Sequence, residues 1–274
     1  MIRKAIYSQW SKPFGSTTGS FLNEEVARAC WSLSVENSKK YFGCVELVCD
    51  EASRRTLIDK FGIKFDKVHN VLDESLSKID PSFWVMGKFY AYKIQQEPFI
   101  HVDSDFIMFD EMPESLLKSP FVFANRETVN PLYQIGMKII DGCPIKPSYY
   151  NPKLCFDDIC CVGVIGVNDL DTMKEWINSI FDLITNQKNT HFWKFAGNRA
   201  KHEVCWLLEQ YMIANLIKFK KITPMFLTDH FEPWVHLLGE TKRNPDITSS
   251  LVKRYEFLNF VRRTSKTKFG LTDS

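Results

Sequence analysis

The sequence predicts an α/β fold with a mostly parallel central sheet flanked by helices. Two observations carry that expectation. The chain opens with an apolar run, a Gly/Ser/Thr turn and an amphipathic stretch, and short apolar runs then keep alternating with helical patterns, the rhythm of strands and the helices that cover them. Residues 3–9 read as the first strand, FGSTTGS as a turn, and 23–41 as a helix with Val26, Ala29, Cys30, Leu33 and Val35 along one stripe. VELVCD (45–50) is a second strand ending in an acid, 51–62 a helix closed by Gly62, and 65–72 a third strand. After Pro81, residues 82–96 read as an aromatic-rich helix leading into FIHVDSDFIMF (99–109). FVFAN (121–125) and DICCVGVIGV (158–167) are further strands, separated by some thirty residues rich in Pro, Tyr and Asn without a clean period, too long for a plain connection. Residues 169–186 and 201–220 are helices, 221–227 a strand, 230–244 irregular, and 250–263 a basic amphipathic helix.

Composition bounds the function. The 274 residues are 45% hydrophobic and 25% charged, which suits one large globular domain, here placed at 1–245, with 246–274 as a C-terminal helix and tail. A net charge of +2 is too close to neutral to draw a nucleic acid, so no nucleic-acid partner is expected. The N-terminus has no uninterrupted apolar segment, and no run approaches the ~18 apolar residues of a spanning helix, so a soluble, cytoplasmic protein is expected. Several of the eight cysteines lie in apolar runs and read as small core residues; no paired CxxC or Cys/His spacing accompanies Cys155, Cys160 and Cys161, and zinc is not expected.

FIHVDSDFIMF places Asp103 and Asp105 inside an otherwise apolar stretch. Ionised carboxylates there cost several kcal/mol each unless compensated. Two apart on an extended strand, they share a side and repel, and a divalent cation resolves that repulsion. Two carboxylates suit a hard ion, Mn2+ or Mg2+. If FIHV is the strand proper, the acids lie at its exit, where open α/β sheets bind ligands. The bland alternative is a strand-end turn with solvated acids. A second constellation joins it: His236-Leu237-Leu238-Gly239-Glu240-Thr241-Lys242, in which the imidazole can ligate a metal, the glycine admits a phosphate close to the backbone, and the lysine neutralises it. All three jobs serve one ligand, a metal-bound diphosphate.

An apolar strand ending in Asp-x-Asp (the DXD motif), after a helix carrying a basic residue and before a His-x-x-Gly-x-x-Lys stretch, resembles the GT-A glycosyltransferases, most of all glycosyltransferase family eight. The resemblance spans roughly residues 3–245. It implies a metal-dependent enzyme moving a hexose from a nucleotide-diphospho-sugar, a UDP-hexose, to a glycan or other hydroxyl acceptor with retention. By position it implies metal ligation by Asp103, Asp105 and His236. It also implies donor contacts from Tyr7, Ser8, Lys88, Asp103, Ser104, Gly239 and Lys242, with Lys93 the competitor of Lys88. Gly163 resembles the glycine strand that follows the acceptor region. Glu209-Gln210 loosely match the pair beside the reacting sugar, and Arg243-Asn244 stand where the family has Pro-Trp.

An inverting enzyme would instead need a carboxylate base, for which Asp157, Asp158 and Glu203 stand available. The acceptor is expected against 126–157 and 187–202, where Tyr149, Tyr150, His191, Phe192 and Trp193 offer rings or, equally, packing. Two rival readings are a metal-dependent phosphohydrolase of the haloacid dehalogenase type, which places its acids after the first strand, and a non-catalytic nucleotide- or glycan-binding module. The cations of the last helix could rest on an anionic membrane surface, giving weak peripheral contact at its inner face, or stay solvated while the helix packs on the domain.

Overall fold

A computed structural model describes residues 1–256 apart from 17, 155–157 and 238. The first strand, β1 (Lys4–Gln9), runs into a short 3-10 turn and the long helix α1 (Glu24–Tyr41). The Asn23 side chain accepts the Val26 amide, acids occupy the first turn and Lys39 and Lys40 the last, so cap and dipole agree on this helix. Strand β2 (Cys44–Cys49) ends at Asp50, which caps α2 (Glu51–Arg54) through the Ser53 amide and accepts from both the backbone and the hydroxyl of Ser11. This buried carboxylate ties the exits of β1 and β2 together. The helix continues as a π-helical turn, and β3 (Lys67–Asn70) and α3 (Leu72–Ser75) follow.

Helix α4 (Met86–Lys93) leads to β4 (Phe99–Val102) and β5 (Phe106–Met108). Residues 99–109 are thus not one strand. The chain turns at Asp103-Ser104-Asp105, with the Phe106 amide bonded back to the Asp103 carbonyl, and β5 leaves the central sheet. The chain continues through α5 (Glu114–Lys118), β6 (Phe121–Phe123), β7 (Arg126–Glu127), α6 (Pro131–Asp141), β8 (Ile159–Cys160) and β9 (Val164–Val167). Helix α6 lies in the interval expected to lack a period; Asn130 caps it and Pro131 occupies its first turn, so the start signals were present. After α7 (Leu170–Thr185), residues 187–202, against which the acceptor is expected, are likewise helical. They belong to α8 (Gln187–Trp206), which is broken at Gly197, where φ is 75°. A π-helical turn at Leu207–Tyr211 joins α8 to α9 (Met212–Phe219). The expected strand 221–227 shrinks to β10 (Met225–Phe226), followed by α10 (Leu227–His230), while the supposedly irregular 230–244 contains β11 (Trp234–His236) and a 3-10 turn at Gly239–Arg243.

The central sheet has seven strands in the order β10-β6-β9-β4-β1-β2-β3, all parallel except β9, which runs antiparallel between β4 and β6. Successive residues feed opposite cores: Ile6, Phe99, Phe123 and Ile165 face the layer of α4, α7 and the α8–α9 helices, while Ala5, Tyr7, Ile100 and Val122 face α1. Burial on both faces explains why these strands read as continuous apolar runs. Most described cysteines are buried and all are unpaired. Residues 245–256 are helical and pack Leu251 and Val252 against Val26, Cys30 and Leu237; the remaining cations expected of this last helix lie outside the described residues, as do Cys155 and Asp157. No helix among the described residues is long and apolar enough to cross a membrane.

Candidate functional site

The acid turn is fixed from three sides. The Asp103 amide donates to the Gly163 carbonyl at the start of β9. On one edge β5 pairs antiparallel with β11, setting Phe106 opposite His236, and the Leu237 amide donates to the Asp105 carbonyl. Towards α1, the Ser34 hydroxyl and the Asn37 amide donate to the carbonyls of Phe106 and Met108. The ladder therefore carries His236 from the far end of the chain to the acids. One potential ligand atom from each of Asp103, Asp105 and His236 lies within 4.8 Å of the others.

Two lysines and the imidazole complete the cluster. Lys242 Nζ lies 2.7 Å from Asp105 Oδ2 across 137 residues of sequence, and His236 Nε2 3.5 Å from Asp105 Oδ1. Lys88, from α4, donates to Asp103 at 2.7 Å and also to Glu209. Burial would raise the Asp105 carboxyl, but His236 and Lys242 outweigh it and hold the group well below the usual carboxylate range. Asp103 goes the other way: burial, with the charge of Asp105, raises it against the pull of Lys88. The two acids titrate as one system. Glu209, buried and beside Lys88 and Asp103, is pushed up to about 7. Burial also keeps His101 neutral, with Lys88 acting in the same direction.

The residues present fit a hard divalent cation. Two carboxylates and an imidazole are the right donor chemistry. The Nδ1 atoms of His236 and His101 are both buried without a hydrogen-bond partner, one on each side of the acid turn. The ring of His236 rests against the backbone of Gly163, where an added Cβ would lie 2.1 Å from Cε1 and 2.7 Å from Nε2. Glycine is what lets the imidazole lie there.

Glu209 and Gln210 sit in the π-helical turn, a local widening that often accompanies functional sites. They point to different partners: Glu209 to Lys88, and Gln210 to the Tyr133 hydroxyl at 2.9 Å, which also donates to Glu127 at 2.6 Å. One hydroxyl proton cannot serve both acceptors, so the Gln210 amide is best turned to donate to Tyr133 while Tyr133 donates to Glu127. Ser8 is half-buried, its hydroxyl 2.9 Å from His101 Nε2. Tyr7 is not available to a nucleoside: its ring is wholly buried and its hydroxyl bonds Ser34 and Ser38 inside the core. Ser104 is half-buried in the acid turn, and Gly239 is exposed with φ 52°, in the left-handed region. Lys93 does not join the cluster; it lies over the Phe181 ring.

Of the aromatics expected near an acceptor, Tyr149 and Trp193 are core residues. Asp158 is exposed beside Lys218, and Glu203 pairs with Arg199. Sequence reasoning overlooked His101, although a histidine in a buried strand two residues before the acids was a signal, and Glu127 and Tyr133, which carry none. The loop before α1 is stitched to the lysine turn: the Leu22 amide donates to the Lys242 carbonyl and Arg243 Nε to the Ser20 carbonyl. Beside that loop an open cleft of about 620 Å³ is lined by Ser11, Lys12, Gly15, Ser16, Thr18, Glu24 and Ala52.

Residues 3–236 match the protein family described as a family of unknown function, DUF6734. The chain belongs to that family. No curated protein matches this DUF6734 chain by sequence. Among solved structures it is similar to mouse xyloside xylosyltransferase 1 in its apo form, at 12% identity and a TM-score of 0.37, over 82% of this chain and 84% of that one. A likeness so distant assigns no role to any residue of the acid cluster.

Proposed function

We propose that this DUF6734 protein is a metal-dependent glycosyltransferase of GT-A type that moves a hexose from a UDP-sugar to a hydroxyl acceptor on a glycan, with retention. The observation that carries the reading is the convergence of Asp103, Asp105 and His236, flanked by Lys88 and Lys242, at the exit of a central strand. The cleft lined by Ser11, Ser16 and Thr18 belongs to the loop that is bonded to the Lys242 segment, which supports a nucleoside subsite in addition to the metal cluster. That cleft takes the nucleoside, in place of Tyr7.

Asp103, Asp105 and His236 hold Mn2+ or Mg2+, which when bound supplies positive charge to a diphosphate leaving group. Lys242 adds a second positive charge to the same group as it departs, and the exposed left-handed Gly239 lets backbone approach a phosphate. Lys88 keeps Asp103 and Glu209 in place between α4 and the π-helical turn. Glu209 offers a carboxylate to the sugar whose charge is adjustable near neutral pH, since burial pushes its pKa to about 7. Gln210 is held by Tyr133 and steadies that turn rather than reaching the sugar itself.

A thermal-shift panel of nucleotide sugars, each with and without Mn2+, tests the proposal. Selective, metal-dependent stabilisation by one UDP-sugar is expected. A panel flat under all conditions contradicts it, and stabilisation by phosphate esters alone favours the hydrolase.

A further inference from the structure

A run of backbone leads from the acid turn to a carboxylate that the metal cluster does not use. The Gly163 carbonyl accepts the Asp103 amide, and the Val162 carbonyl lies 3.4 Å from Lys88 Nζ. One residue back, the Cys161 amide donates to the Asn125 carbonyl and its carbonyl accepts the Ala124 amide; β8 then pairs with β7, setting Ile159 opposite Glu127. From Gly163 to Ile159 this wall spans at most about 14 Å, four extended residues. The helical side closes it. Tyr133 of α6 donates to Glu127 at 2.6 Å and meets Gln210 at 2.9 Å, and Gln210 adjoins Glu209 in the π-helical turn. Glu209 feels the charges of both Asp103 and Glu127, so the three carboxylates are neighbours. Their compensation is unequal. Lys88 serves Asp103 and Glu209 together, whereas no ion pair among the described residues reaches Glu127. That carboxylate is only half-buried and is oriented by two neutral groups, the Tyr133 hydroxyl and the Cys161 thiol. A carboxylate accepts about four hydrogen bonds, so capacity is left over on the side open to solvent.

We infer that Glu127 selects the sugar of the nucleotide sugar: it accepts hydroxyl groups of a neutral hexose and repels the carboxylate of a hexuronic acid. The inference rests on the glycosyltransferase reading and adds to it a residue and a charge rule that the metal cluster does not supply. A sugar joined to a diphosphate at the acid turn lies within reach of Glu127, because the wall between them is only four residues long. Tyr133 and Cys161 hold the carboxylate without neutralising it, so its full charge faces the ligand. Lys88 cannot answer an added negative charge there, being bound already to two carboxylates. A site built to accept a hydroxyl discriminates strongly against an analogue that cannot donate one, and like charges set side by side deepen the penalty.

The test is calorimetry on the full chain in MnCl2 with UDP and two matched pairs, UDP-glucose against UDP-glucuronate and UDP-galactose against UDP-galacturonate, whose members differ only at C6. The wild type, Glu127→Gln and Glu127→Ala are compared, with folding followed by melting temperature. In at least one pair the wild type is expected to bind the neutral member about tenfold or more tighter than the acid, and a folded variant to shrink that gap to about threefold or less. UDP itself should bind all three proteins alike. A wild type that binds UDP but shows no gap in either pair overturns the inference and leaves the glycosyltransferase reading standing. A gap that persists in a folded variant removes Glu127 from the role, as does a variant whose affinity for UDP falls as far as its affinity for the neutral sugar. Loss of cooperative melting in both variants marks Glu127 as structural and overturns the inference too. A wild type that binds neither UDP nor any of the four UDP-sugars overturns both readings.

Discussion

Gly163→Ala isolates what a single methyl group does to the candidate metal site. A Cβ at this position would lie 2.1, 2.7 and 2.9 Å from Cε1, Nε2 and Nδ1 of His236, all well inside contact distance. The ring cannot simply swing away. Phe106 packs against its edge, and β11 is fastened to β5 through the Phe106–His236 register. Gly163 cannot retreat either, because its carbonyl accepts the Asp103 amide. Overpacking of this kind costs about 1–3 kcal/mol. If the strain is relieved by displacing the imidazole from the acids, Mn2+ affinity falls by roughly 5- to 150-fold, at 1.4 kcal/mol per tenfold. If the ring stays, the fold bears the cost, and the melting temperature drops by about 2–4 °C per kcal/mol for a domain of this size. Calorimetric titration with MnCl2 and a melting curve on the same sample read both routes. A variant that matches the wild type in Mn2+ affinity and in melting temperature refutes the close packing of His236 on Gly163.

Lys242→Met removes the cation on Asp105 while preserving the stem, and should weaken Mn2+-dependent UDP binding about tenfold or more, the scale of a charge-assisted bond; unchanged calorimetry would remove Lys242 from the site. Glu209, raised to about 7, contributes to stability when protonated. That contribution is complete below about pH 4.5 and is lost as pH rises through about 7, so the metal-free Glu209→Gln variant should gain in melting temperature on the wild type between pH 5 and pH 7.5. A gap constant with pH speaks against the burial of this carboxyl. Asp50→Ala strips a helix cap and two bonds to Ser11, and should lower the melting temperature by about 5–15 °C; a loss under 2 °C in a circular dichroism melt counts against the tie between β1 and β2.

The parts of the site readable in sequence were those that would be expensive anywhere else. Two acids in an apolar stretch, and a His-Gly-Lys spacing in an irregular one, pointed to one shared site, and the fold does place them together. Their local conformation was not readable: the acids do not share one side of an extended strand but belong to a tight turn, because β5 leaves the sheet to pair with β11. That pairing is long-range, and no local pattern announces it. Helix α6 escaped for a different reason. Its apolar stripe of Tyr133, Met137 and Ile140 is short and sits among turn-forming residues, although Asn130-Pro131 marked its start. The π-helical turn at Leu207–Tyr211 has no sequence signature, so Glu209 and Gln210, though singled out by the resemblance, were expected in an ordinary helix. Aromatics mislead in both directions, since a tryptophan on a helix is core by default; Trp193 obeys that expectation and Trp206 does not.

The central claim is that Asp103 and Asp105 hold a cation on which nucleotide binding depends. Calorimetric titration of UDP into the wild type and into Asp103→Ala/Asp105→Ala, each with MnCl2 and with EDTA, tests it most directly. UDP binding by the wild type in MnCl2 alone, absent in EDTA and absent in a variant that still melts cooperatively, is the predicted result. Equal UDP binding by the folded variant, or by the wild type in EDTA, would contradict the account.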